Sequence, residues 1–110
     1  MNITHKDLAN GKWQKLSLVE QLANIGSEVE RTIKWQKKNT EYSERAFYRG
    51  LELLDLSIAD PKNRHRLKEL LRLREMLADY FIFDNGYSST VEQWQKYFYS
   101  FNYAARLSLS

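Results

Sequence analysis

Leu18, Leu22, Ile25, Val29 and Ile33 recur at spacings of four, three, four and four, the rhythm of one buried face of an α-helix. The rhythm returns in three further segments: Phe47, Leu51, Leu54 and Ile58; then Leu67, Leu70, Leu71, Leu77, Ala78 and Phe81 on one arc of a helical wheel; then Val91, Trp94, Phe98, Phe101 and Ala105. A helix with one apolar stripe has to bury it against another element. Little interrupts the pattern. One proline and four glycines occur in 110 residues, alternating strand-like patterns are scarce, and Leu, Glu, Lys, Arg and Gln are abundant. A chain of this length builds one hydrophobic core and not two. The expectation is therefore a single all-α domain: an antiparallel four-helix bundle over 17–107, preceded by a short N-terminal arm over 1–16 that can pack through Trp13.

The boundaries are legible as caps and breakers. Ser17 followed by Glu20 forms a capping box for the first helix. Asn39 or Thr40 caps the second, roughly 41–58, and Asp60 with Pro61 opens the third. "FDNGYSS" is a loop with an Asn-Gly turn, and Ser89 with Glu92 makes a second capping box for the fourth helix. Gly26 and Gly50 fall inside helices, where each costs about 1 kcal/mol relative to alanine and so needs a reason. Counted outward from the turn near 39 they stand at similar heights, which predicts close approach of the first two backbones.

Several function classes have little to build on. The absence of cysteine excludes disulfides, Cys-ligated zinc and thiol catalysis. His5 and His65 are the only histidines, no glycine-rich phosphate loop occurs, and no cofactor is implied. Helical carboxylate pairs do occur, at Glu41 with Glu44, Glu52 with Asp55 and Glu75 with Asp79. All-helical metal-dependent nucleotide pyrophosphatases turn such pairs inward onto divalent metal. Here Glu52 and Asp55 alternate with Arg45 and Arg49, as a solvated face would, and no metal or catalytic residue is assigned. No apolar run approaches the roughly 20 residues a membrane span needs, and "MNITHKDLANGKWQK" lacks a secretory core, so a cytoplasmic protein without a membrane partner is expected.

Two surface patterns carry the functional expectation. Arg64, Lys68 and Arg72 form an i, i+4, i+8 column that continues into Glu75 and Asp79. A solvated face with helical ion pairs explains most of it, but cations near a helix N-terminus oppose the helix dipole, which points toward phosphate. In the fourth helix Lys96, Tyr99, Tyr103 and Arg106 form a second stripe beside the apolar one, a row of rings bracketed by cations. Tyrosine-rich exposed stripes are common at interfaces, so self-association is expected there, with stacking on single-stranded nucleic acid as the alternative. Arg74 falls in the middle of the third apolar arc, and a buried guanidinium needs an acidic partner; Glu28 is the expected one.

Through "EQLANIGSEVER" and "ERAFYRGLELLDLSIADPKNRHRLKELLRLREMLADYF" the chain resembles a set of small uncharacterised prokaryotic all-helical proteins, over most of 13–106. That resemblance implies no activity, ligand or site. The build is also similar to small four-helix accessory proteins that oligomerise and present basic surfaces to RNA, an analogy of architecture alone. The expected function is a non-enzymatic helical interaction module, a homo-oligomer with a protein partner. RNA or DNA binding is the alternative, and a metal-dependent helical hydrolase the contrasting class.

Overall fold

The computed structural model describes residues 11–109. Four α-helices follow a short 3-10 turn at Trp13–Lys15: α1 (Leu18–Trp35), α2 (Thr40–Ala59), α3 (Leu67–Phe81) and α4 (Val91–Leu109), with a 3-10 segment, Pro61–Arg66, leading directly into α3. No strand occurs among the described residues, and the expected all-α fold holds.

The caps form where the chemistry calls for them, with one displacement. Ser17 Oγ accepts from the Glu20 N–H while the Glu20 carboxylate accepts from the Ser17 N–H, closing the predicted box on α1. Asn39 caps α2 by accepting from the Tyr42 N–H. At α4 the box is Thr90 with Gln93, one residue later than expected. Asn85, held at φ 54°, both accepts from the Ser89 N–H and donates to the Ser89 carbonyl, so Ser89 belongs to the loop and Thr90 takes the cap.

A buried polar lock joins the segment before α1 to the α2–α3 joint. Trp13 is 1% exposed, and its Nε1 donates to Ser57 Oγ at 3.0 Å. Gln21 Nε2 donates to the Trp13 carbonyl and to Asp60 Oδ2, each at 3.0 Å. Asn63 Nδ2 donates to Gln21 Oε1 at 2.8 Å and to the Ser57 carbonyl at 3.0 Å. Burying such groups is tolerable only because each finds a partner. Residues 13–16 are thus tied into the domain through Trp13, the contact expected of the arm; residues 1–10 of that arm lie outside the described residues.

α1 is the central helix, packing against α2 on one side and α4 on the other, while α3 packs against α2. The core is built from Leu22, Ile25 and Val29 of α1, Phe47, Leu51 and Leu54 of α2, Leu70, Leu73 and Leu77 of α3, and Trp94 and Phe98 of α4. The two helical glycines do not face each other as expected. A Cβ on Gly26 would stand 2.7 Å from Phe98 Cβ, so this glycine admits α4. Gly50 does lie against α1, where a Cβ would meet Glu28 Cβ at 3.4 Å.

The apolar phase of α3 is also rotated from the expected arc. Leu73 is buried and Leu71 is 49% exposed, because α3 turns Leu73 and Met76 toward α4 while its other flank lies on α2. The rotation moves Arg74 from the middle of the buried arc to its edge.

Candidate functional site

The tyrosine row of α4 remains outside. Val91, Trp94, Phe98, Phe101 and Ala105 spend the inward positions of the helix, which leaves Lys96, Tyr99, Tyr103 and Arg106 on its outer side, all exposed. Tyr99 is 65% and Tyr103 54% exposed, and the two rings stack at 6.3 Å with their planes 21° apart. Paired rings of this kind present a flat apolar surface already ordered before any contact is made. Beside them a shallow groove between α1 and α4 is lined by Ala23, Gly26, Arg31, Lys34, Phe98 and Tyr99. Its existence follows from Gly26, since the missing side chain lets the two helices close over Phe98. On the α1 side the groove carries Arg31, which is paired with Glu28, together with Lys34 and Glu30, a contribution that no single-helix pattern reveals.

Arg64, Lys68 and Arg72 are exposed too, and no ion pair joins them to any acid among the described residues. The expected neutralisation by Glu75 and Asp79 does not form, because the 82–90 loop claims both carboxylates. Asp79 accepts the Gly86 N–H at 2.8 Å and the Tyr87 N–H at 3.1 Å, and Glu75 accepts the Tyr87 hydroxyl at 2.8 Å. This last bond holds the Tyr87 phenol above the usual tyrosine range. The basic column and the tyrosine row lie on different sides of the molecule: Arg72 faces the cleft between α3 and α4, whereas Tyr99 faces the α1–α4 groove.

The expected buried pair of Arg74 with Glu28 is not formed. Arg74 Nε donates to Asp55 Oδ1 at 2.6 Å and its Nη2 reaches Oδ2 at 3.4 Å, across the α2–α3 seam. The pair is half exposed, the Arg74 side chain 40% and the Asp55 side chain 52%, and the bond to Asp55 raises the Arg74 pKa further. Glu28 is buried, but it is bonded by Arg31 one turn on and approached by Arg49 of α2. The rotation of α3 turns Arg74 toward Asp55 of α2, while Glu28 takes its partners from its own helix and from α2.

Four of the six carboxylates considered for metal are occupied elsewhere: Glu41 with Arg45, Asp55 with Arg74, Glu75 and Asp79 with the loop. No group of three or more His, Cys, Asp or Glu side chains converges among the described residues, and His5 lies outside them.

A second feature escaped the sequence. Where α3 and α4 diverge, a cleft of roughly 340 Å³ is lined by Glu69, Arg72, Leu73 and Met76 from α3, Tyr87 and Ser89 from the loop, and Gln93, Trp94 and Tyr97 from α4. Tyr97 crosses it to reach Glu69 Oε1 at 3.3 Å, and Arg66 Nε donates to Glu69 Oε2 at 2.6 Å. The Arg66 bond holds the Glu69 carboxyl below the usual range, and burial, reinforced by Glu69, pushes the Tyr97 hydroxyl well above its own. The one signal in the chain was a surplus of aromatic residues in α4 beyond a single core stripe.

Comparison with protein-family models, curated proteins and solved structures returns no match. Among the described residues no helix is long and apolar enough to cross a membrane.

Proposed function

We propose that this chain is a helical interaction module that pairs with a second copy of itself through the outer side of α4. The observation that carries the proposal is the exposed, stacked pair Tyr99 and Tyr103 between Lys96 and Arg106. The sequence of that side is self-complementary in the antiparallel sense. Glu92 and Arg106 lie two helical turns to either side of Tyr99. A twofold axis through Tyr99 therefore sets each Glu92 beside the other copy's Arg106 and each Lys96 near the other copy's Tyr103. Such an arrangement is isologous and closes as a dimer. Light scattering tests it: the wild type scatters as a dimer at micromolar concentration, Glu92→Arg and Arg106→Glu are each monomeric, and the two variants mixed recover a dimer. A wild type that stays monomeric removes the proposal.

Nucleic acid is a second partner favoured by a separate observation, the exposed column Arg64, Lys68 and Arg72 with no acidic partner among the described residues. Retention on single-stranded RNA at low salt that falls steeply as salt rises, and that weakens in Arg72→Glu, supports it. No retention at low salt rejects it.

A further inference from the structure

We propose that the cleft between α3 and α4 is a binding site for a small amphipathic carboxylate, a molecule with one anionic group and a compact apolar body. The proposal is independent of the α4 pairing, which uses the opposite side of that helix.

Four observations converge. First, the cleft is of ligand size and mostly apolar, walled by Leu73, Met76 and the rings of Trp94 and Tyr97. Second, two of its lining residues hold buried polar atoms without a partner, Ser89 Oγ and Trp94 Nε1, in side chains only 6% and 5% exposed. These are the two such atoms among the described residues, and both belong to residues that line this one cleft. A buried donor left unpaired costs about 1–3 kcal/mol, so their coincidence needs an explanation. Third, what the wall offers is donors. Trp94 Nε1 can only donate, the Ser89 hydroxyl can donate, and Arg72 brings a guanidinium. The acid of the wall, Glu69, is already satisfied by Arg66 and Tyr97. Fourth, the donors gather at the N-terminal end of α4, a helix of 19 residues whose dipole favours negative charge there.

An acceptor is therefore what the site lacks, and a negative one suits both Arg72 and the helix end. Both orphaned atoms are closed to water in the free chain, so the carboxylate reaches them only as a lining side chain yields. Gln93 and Tyr87 are exposed, and to swing aside Gln93 gives up the bond from the Thr90 N–H and Tyr87 its hydroxyl bond to Glu75. The apolar body then covers Leu73 and Met76. Phosphate alone would satisfy the charge but leave that wall bare.

The test is a titration of the full chain with phenylacetate, followed at the Trp94 indole N–H by two-dimensional nitrogen–proton NMR and assigned with Trp94→Phe. The expected result is a saturable shift of that resonance, while the indoles of Trp13 and Trp35 stay in place. Arg72→Gln, an exposed surface change that leaves the fold intact, weakens binding at least about tenfold, as loss of a charge-assisted bond does. The neutral phenylacetamide and the bodiless acetate each bind at least about tenfold more weakly than phenylacetate. An unmoved Trp94 resonance overturns the site. Equal binding of the amide overturns the anionic group, equal binding of acetate overturns the apolar body, and undiminished binding by Arg72→Gln overturns the role of the guanidinium.

Discussion

Gly26 and Gly50 look alike in the sequence, each a glycine inside an amphipathic helix, and the structure gives them opposite roles. A methyl group at Gly26 meets Phe98 Cβ at 2.7 Å, closer than packed carbons come, and neither backbone nor ring root can move without parting α1 from α4. Gly26→Ala is expected to destabilise by about 1–3 kcal/mol through overpacking. At Gly50 the new methyl group meets Glu28 Cβ at 3.4 Å, an ordinary contact, so the helix-propensity gain of about 1 kcal/mol is largely kept. Gly50→Ala should therefore melt at or above the wild-type temperature, and thermal denaturation of the pair separates the two cases. Arg74 teaches the same lesson about residues read one helix at a time. Its wheel position was sound relative to Leu70 and Leu77, but a shift of the buried arc toward Leu73 changes its partner from Glu28 to Asp55.

At the level of the elements, helix identity and order were legible because each stripe and most caps are local properties, carried by residues a few positions apart. What joins the elements was not legible. Gln21, Ser57 and Asn63 read as ordinary polar residues and Asp60 as a helix cap, and only the meeting of three distant segments makes them a buried network. Asn63→Ala strands Gln21 Oε1 and the Ser57 carbonyl and is expected to cost about 1–3 kcal/mol. Asp60 adds a pH dependence. Burial pushes its carboxyl up, but the bonds from the Lys62 side chain, Gln21 and the Lys62 N–H outweigh this and leave it below the usual aspartate range. Its contribution is then full above the unfolded value, about 3.9, and is lost as pH falls through the folded one. The melting-temperature gap between wild type and Asp60→Asn should narrow on acidification from neutral pH. Tyr97 works in the other direction across the α3–α4 cleft. Burial and then Glu69 raise its pKa, so its contribution is full below the unfolded value, about 10, and declines as pH rises above it. Tyr97→Phe should flatten the alkaline limb of the stability profile.

For the molecule as a whole, the four-helix composition hides an uneven assembly. α1 holds α2 on one flank and α4 on the other, while α3 rests on α2 and reaches α4 chiefly through side chains such as Tyr97 and Tyr80. Sequence periodicity counts four stripes but does not say which pairs close tightly, so the cleft stayed invisible although its walls, Leu73, Met76 and Trp94, are ordinary core residues. The outer row of α4 was legible because exposure there needs only helical phase: once Trp94 and Phe98 point inward, Tyr99 and Tyr103 cannot. One consequence of the central place of α1 concerns how the native state breathes. Detachment of α4 breaks its seam with α1, separation of α3 breaks its seam with α2, each also parts the side-chain contacts between α3 and α4, and both leave the α1–α2 hairpin standing. Amide protons of α1 should therefore exchange with deuterium most slowly, through full unfolding alone, while those of α3 and α4 escape earlier through partial openings.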